Sequence, residues 1–355
     1  MLSSATDILM DNVTVILLNG THELNSSMLV RKVNDFTLLG AGGITGKGHV
    51  KIICNGVSSL VFEGITNLTI TRIAFSQCGV FNHRHWLAPY RNALIFSDVI
   101  NLKVAWVVMQ NCSDAILAIN VLGTSVIKHS SFHGLSYSRE KTYNRTNHIY
   151  IWYKNRILHK HSNKSKSLLH AKLYIHNCVL RNGGSGSMKI TLYHDGYNVE
   201  VVGIMNITAL NGGIDFGYKS DIFINIGQKA NYLVTIRDSY ISNSKAAAIT
   251  VKLFPPKAYI SQVIRITNSV IDRSGTGIRI HYLYSRDINI TFIPQITIEN
   301  CIIMNIHHAN HHWKKEDGLL IYRESEFPLS VILSNVSFEN NQLSSYMQWN
   351  KDSQI

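Results

Sequence analysis

Apolar and polar residues alternate along this chain in runs of four to six positions, and the runs recur. The clearest pair lies between Leu233 and Tyr282. Val234-Thr-Ile236-Arg-Asp238-Ser239-Tyr-Ile241 is followed by Ala248-Ile249-Thr-Val251-Lys-Leu253. Thirty residues on, Ile264-Arg-Ile266-Thr-Asn268-Ser269-Val-Ile271 is followed by Gly277-Ile278-Arg-Ile280-His-Tyr282. Period-two alternation rich in Ile, Val and Tyr predicts strands. Each repeat therefore reads as two short strands joined at a polar corner.

Written as apolar, any, Asn or Asp, Ser or Cys, any, apolar, the repeat can be anchored on its first residue at Ile70, Val104, Ile127, Ile175, Val202, Ile236, Ile266, Ile298 and Leu333. The intervals are 34, 23, 48, 27, 34, 30, 32 and 35 residues. Periods in this range mark a solenoid, in which each unit buries its apolar face only by stacking on the next. Strand texture excludes helical repeats, and no hairpin signature separates the strands. The pattern predicts an all-β fold: a single-stranded, right-handed parallel β-helix of about 10–11 coils, which at roughly 4.8 Å per coil makes a rod of about 50 Å.

The corner position carries Asn177, Asp238, Asn268, Asn300 and Asn335, with Arg72, Trp106, His129 and Ile204 as departures. Asn tolerates the left-handed backbone of a tight corner, and its amide can bond the same group one coil away. The closing apolar position reads Phe75, Met109, Phe132, Leu180, Ile207, Ile241, Ile271, Ile303 and Phe338, and is expected to stack inside the rod.

No Pro- or Ser-rich linker interrupts the repeat, so residues 1–355 read as one domain. Its expected parts are irregular, Gly-rich first coils (1–64), regular coils (65–345), a basic loop insertion (136–171) and a polar tail (346–355). Both ends read as cut from a longer protein. No run of eighteen apolar residues is present, so no membrane span is expected, and Val13 to Leu18 is too short for the core of a secretory signal.

A formal charge of +12 and a pI near 9.4 point to a polyanionic partner, such as an acidic polysaccharide, an anionic membrane or nucleic acid. Much of the excess lies in the 136–171 stretch, where Arg139, Lys141, Arg145, Lys154, Arg156, Lys160, Lys164 and Lys166 face the single acid Glu140. Asn-x-Ser/Thr sequons begin at Asn12, Asn19, Asn25, Asn67, Asn111, Asn144, Asn163, Asn206, Asn289 and Asn335. About five would arise by chance, so ten favours an extracellular or cell-surface address. Asn-rich corners would raise the count without any glycan.

Five cysteines leave one odd. Cys78 and Cys112 hold the same repeat position in successive coils and could lie at disulfide distance, with Cys54 a competitor for Cys78 and buried free thiols an equal alternative. His307, His308, His311 and His312 cluster without a carboxylate or Cys at ligand spacing, so no metal site is assigned. No cofactor is expected.

With these residues in view, the tandem phrases resemble the right-handed parallel β-helix repeats of pectin-lyase-like proteins over about residues 60–345. Val15-Ile-Leu-Leu-Asn-Gly-Thr-His22, Phe36-Thr-Leu-Leu-Gly40, Ile53-Cys54 and Asn67-Leu-Thr-Ile-Thr-Arg-Ile-Ala-Phe75-Ser-Gln-Cys78-Gly79 are similar to uncharacterised β-helix proteins of simple animals such as sponges. The enzymes of this architecture act on polysaccharides from an outward stripe of one sheet. Here the second strands align as Ile149–Tyr153, Met188–Leu192, Ile214–Tyr218, Ile249–Leu253, Ile278–Tyr282 and Leu319–Tyr322. Alternation turns Tyr150, Trp152, Lys189, Thr191, Asp215, Lys252, Arg279 and His281 outward. Aromatic faces beside cations suit a uronate or sulfated sugar, which makes Tyr150, Trp152, Lys189, Lys252, Arg279 and His281 the candidate ligand-binding set.

Candidate catalytic residues are Asp215, Arg279 and His281. Asn211-Gly-Gly-Ile-Asp215 resembles the Asn-x-Asp element of polygalacturonases and Arg279-Ile-His281 their Arg-Ile-Lys. Gly nevertheless replaces the first Asp, and Ala246-Ala-Ala248 stands where an Asp pair would be. Glycoside hydrolysis usually needs two carboxylates, and the pectate lyase pattern of acidic calcium ligands is absent. The leading expectation is a non-enzymatic extracellular or cell-surface scaffold binding carbohydrate or proteins. The alternative is a lyase or hydrolase of an acidic polysaccharide. Nucleic-acid binding through the basic stretch, where Tyr143, Tyr150, Trp152 and Tyr153 interleave with the cations, ranks third and is not expected of a secreted protein.

Overall fold

The computed structural model describes residues 11–42, 50–54, 59–78, 92–112, 114–134, 147–153, 169–183, 186–192, 197–212, 220–227, 232–254, 261–283, 293–307, 318–323, 328–341 and 346–350. Those residues form a right-handed parallel β-helix with no α-helix among them. Every strand pairing is parallel and links one coil to the next. Each coil runs along three faces. In one coil the first face is Tyr232–Arg237, the second Tyr240–Ser242 and the third Ala247–Leu253. The first two faces merge into an 18-stranded sheet, while the third is an 11-stranded sheet of its own.

Corner chemistry follows from backbone sterics. Between the first and second faces stand Arg72, Trp106, His129, Asn177, Asn206, Asp238, Asn268, Asn300 and Asn335, all with φ between 49° and 60°. Between the second and third stand Asn111, Asn182, Asn211, Asn243, Arg273, Asn305 and Asn340, also at positive φ. Asn reaches this region most easily of the non-glycine residues. At the first corner Asn206 Nδ2 donates to Asn177 Oδ1 at 2.8 Å and Asn335 Nδ2 to Asn300 Oδ1 at 2.8 Å. At the second, Asn243 Nδ2 donates to Asn211 Oδ1 at 2.6 Å. Both corners thus carry amide ladders along the rod.

The repeat anchor at Val202 is two residues early. Ile175 pairs with Ile204, so the corner is Asn206 rather than Ile204, and Ala209 rather than Ile207 joins the interior column. The amphipathic run is long enough to admit both registers; the left-handed Asn decides between them. The column stacks as expected from Phe75 through Met109, Phe132 and Leu180 to Ile241, Ile271 and Ile303, all fully buried, while Phe338 aligns with Ile303 but is only half-buried.

Ile149–Tyr153, expected as a second strand inside the basic 136–171 stretch, belongs to strand Asn147–Tyr153, which pairs with Gly186–Leu192 on the third face. Tyr346–Asn350, expected as tail, pairs with Leu319–Arg323.

Position four of the motif, Ser or Cys, has a structural job. Ser239 Oγ donates to Arg237 O at 2.8 Å and accepts Ile207 N–H from the preceding coil at 3.3 Å. Cys178 and Cys301 occupy that slot and donate to His176 O and Glu299 O at 3.3 and 3.2 Å. The disulfide is Cys54–Cys78, with Cα atoms 4.6 Å apart, and not Cys78–Cys112. Cys78 has a sulfur neighbour in the coil on either side. Cys54, at the end of the preceding second-face strand, takes it, while the Cys112 thiol donates to Gln110 O at 3.5 Å. Burial pushes the Cys112 thiol up to about 11 and that of Cys178 to about 12, so neither is a thiolate at neutral pH. Mapping of the unreduced protein is expected to recover a Cys54–Cys78 cross-linked peptide, with Cys112, Cys178 and Cys301 alkylated only after denaturation. A Cys78–Cys112 peptide would overturn the assignment.

Candidate functional site

The outer side of the third face carries the candidate site. Consecutive strands hold side chains in fixed register, so two outward slots run along the rod about 4.8 Å per coil. One reads Tyr150, Lys189, Phe223, Thr250, Arg279, Leu320. The other, two residues further along each strand, reads Trp152, Thr191, Asn225, Lys252, His281, Tyr322. Between them the inward slot Ile151, Ile190, Ile224, Val251, Ile280, Ile321 is core.

The structure brings the six candidate ligand-binding residues onto one surface. Tyr150 and Trp152 stack with ring centroids 6.0 Å apart and planes 6° from parallel. Lys189 Nζ sits 4.7 Å from the Tyr150 centroid and 6.0 Å from that of Phe223, a cation held between two π faces. Its pKa is lowered by burial. Arg279 Nη2 donates to Thr276 Oγ1 at 3.3 Å. The His281 ring lies 5.3 Å from that of Tyr322. Burial first, then the charges of Arg279 and Lys252, depress the His281 imidazole to about 4, so it is neutral at pH 7.

Five outward residues are less accessible than alternation implies: Thr250 is 1% exposed, Thr191 3%, and Asn225, His281 and Leu320 8%. Larger neighbours one coil away shade them, such as Trp152 for Thr191, and Lys252 and Tyr322 for His281.

Asp215 lies outside the described residues. The strand of its coil is Ser220–Ile226, not Ile214–Tyr218, so Phe223 and Asn225 fill the slots that alternation assigned to Asp215 and its neighbours. Ile222-Phe-Ile224-Asn-Ile226 carries the same alternation a few residues later, and register with Met188–Leu192 selects it. Asp221, which sequence reasoning passed over, is fully buried at the start of that strand. It accepts from Ser187 Oγ at 2.9 Å and from Ser244 Oγ. Desolvation outweighs these bonds and raises its carboxyl to about 6.

The remaining candidates are scattered. The eight cations of the 136–171 stretch, Tyr143, and the sequons at Asn144, Asn163 and Asn289 lie outside the described residues, as do His308, His311 and His312. His307 is exposed, and no group of three or more His, Cys, Asp or Glu able to hold a metal is found among the described residues. No described helix is long and apolar enough to cross a membrane. Of the other sequons, Asn12, Asn19, Asn25 and Asn111 are exposed. The Asn67, Asn206 and Asn335 amides already donate across coils, to Asp35, Asn177 and Asn300, so a sugar there would compete with the ladders.

No family model matches the chain, and no curated protein does. Among solved structures it is similar to the catalytic domain of a GH87 α-1,3-glucanase in complex with tetrasaccharides, at 10% identity and a TM-score of 0.42 over 96% of this chain and 62% of that one. It is also similar to the periplasmic alginate epimerase AlgG, at 12% identity and a TM-score of 0.33 over 93% of this chain and 84% of that one. The chain thus spans less than two thirds of the glucanase domain it matches. At such identities nothing of either protein's chemistry carries over.

Proposed function

We propose that this chain is an extracellular or cell-surface β-helix scaffold whose third face binds an acidic polysaccharide. One observation carries the reading. From Tyr150 to Tyr322 the two outward slots hold Lys189, Lys252, Arg279 and His281 among aromatic residues, and neither slot contains Asp or Glu. Lys189 and Arg279 are three coils apart in one slot, about 14 Å, a span suited to a glycan lying along the rod. Charge-assisted bonds to uronate or sulfate oxygens and aromatic contact with the sugar ring are the interactions this surface offers. The Cys54–Cys78 disulfide supports the oxidising address.

A second reading rests on His281. His281 shares its slot with Lys252 and lies two residues from Arg279 on one strand, so the two cations can neutralise a uronate carboxylate and thereby acidify its α proton beside the imidazole that would accept it. It favours a lyase over a hydrolase, since neither outward slot supplies a carboxylate pair.

One experiment separates the readings. Titration with a polygalacturonate or alginate oligosaccharide is expected to show salt-sensitive binding, weakened about 10- to 100-fold by Lys189→Ala or Arg279→Ala, the loss of one charge-assisted bond each. Unchanged affinity in both variants sinks the proposal. Release of unsaturated product during the titration, abolished by His281→Ala, would establish the second reading instead.

A further inference from the structure

The amide ladder between the first and second faces is interrupted over three successive coils. Where the later coils place Asn or Asp, these place Arg72, Trp106 and His129, at φ 60°, 56° and 49°. Bulky side chains enter this backbone region only at a steric cost, and such strain clusters at functional sites. The backbone does not require these residues, because Asn177 and Asn206 make the same corner one and two coils further on.

These side chains build an aromatic platform instead. The Trp106 and His129 rings stack with centroids 4.4 Å apart and planes 13° from parallel, and His176 meets His129 edge-on at 5.7 Å. Asn177 Nδ2, 3.4 Å from His129 Nδ1, joins the platform to the amide ladder. Trp106 is 46% exposed, one of four large apolar side chains at least so open among the described residues. Cations occupy neighbouring positions in its own and the adjoining coils. Arg72 is in the coil before; Lys128 aligns with Ala105 and His176; Lys103 is exposed three residues before Trp106. Neither Asp nor Glu occurs in this corner or in the two adjoining first-face slots between Arg72 and His176.

We propose that this corner is a second, independent subsite for an anionic pyranose. One sugar ring stacks on the Trp106 face, and its carboxylate or sulfate is held by Arg72, Lys103 or Lys128. A convex vertex one ring wide cannot bury the area a stable protein partner needs, whereas a single sugar on an indole with a cation beside it matches its size and charge. The corner lies between the first two faces, opposite the third, so the rod presents two separate anion-binding surfaces and can bridge two polysaccharide strands. The ligand class rests on the proposed function; the site does not.

The test uses the double variant Trp106→Asn with His129→Asn, which restores the ladder residue at both corners and is expected to fold at least as stably as wild type. Calorimetric titration of the full chain with hexagalacturonate and with a heparin hexasaccharide is expected to give two sites per wild-type chain and one in the variant. Lys189→Ala with Arg279→Ala is expected to leave the complementary single site. Long polygalacturonate should cross-link wild type, with a rise in light scattering, and neither variant. Unchanged stoichiometry and affinity in the Trp106/His129 variant overturns the proposal. Loss only in that variant upholds the corner and removes the third-face reading. Failure of both glycans to bind wild type, or binding at the corner of an oligothymidine and no glycan, overturns the proposal as well.

Discussion

Replacing Phe62 with Ala is expected to cost about 3–5 kcal/mol and to spend that loss locally. Phe62 stands fully buried in the inward slot of the third face, between Val30 and Phe96 in the adjoining coils. Its ring centroid lies 5.7 Å from that of Phe96 and, across the interior, 5.9 Å from that of Phe36. Truncation removes both ring contacts and opens a void that cannot close, because the hydrogen-bond ladder fixes the neighbouring strands about 4.8 Å away on each side. In a solenoid a coil touches only the coils above and below it. Hydrogen exchange is therefore expected to quicken across residues 14–112, while strands 232–304 keep their protection. A uniform loss of protection, or a destabilisation under about 1 kcal/mol, would contradict this account of the core.

Coil rhythm and corner chemistry were legible in the sequence because each answers to a local requirement. A positive φ selects Asn, the hydroxyl or thiol after it ties the corner to the preceding coil, and alternation marks the faces; hence the interior column from Phe75 to Ile303 followed from spacing, except in the coil where Ala209 stands in place of Ile207. What depends on a choice between near-equal neighbours was not legible. Ile214–Tyr218 and Ile222–Ile226 alternate alike, and only pairing with Met188–Leu192 decides. Cys78 has a cysteine in the coil on each side, and only the position of Cys54 at its strand end decides. The outward residues were identified from parity, yet parity is silent on shading, so His281 emerged 8% exposed. Trp106 and His129 were visible only as departures from the Asn rule; that their rings stack and stay open is information about neighbours.

The second large effect concerns two buried groups that oppose each other in pH. His148 is 1% exposed, its Nε2 2.8 Å from Arg181 O, and burial depresses its imidazole to about 4. The unfolded chain then takes up the proton near pH 6.5 and the folded one only near 4. His148's contribution is complete above pH 6.5 and is lost as pH falls toward 4, by about 3 kcal/mol. Asp221 runs the other way. Its carboxyl is raised to about 6 against an ordinary value near 3.8, so the folded state holds the proton longer. The penalty of burying its charge is absent below pH 3.8, grows as pH rises toward 6, and reaches about 3 kcal/mol at neutrality. Between pH 4 and 6.5 the two terms nearly cancel. Asp221→Asn keeps an acceptor for the hydroxyl of Ser187 and offers Ser244 a donor, without the charge. The variant is expected to be about 3 kcal/mol more stable than wild type at pH 7 and equal to it at pH 4, with a steeper loss on acidification. His148→Gln should do the reverse, gaining on wild type as the pH falls. Denaturant midpoints across pH 4–7 check both; parallel profiles for wild type and Asp221→Asn would show that Asp221 is already ionised well below pH 6 in the fold, with Ser187, Ser244 and the Gly212 N–H outweighing its desolvation.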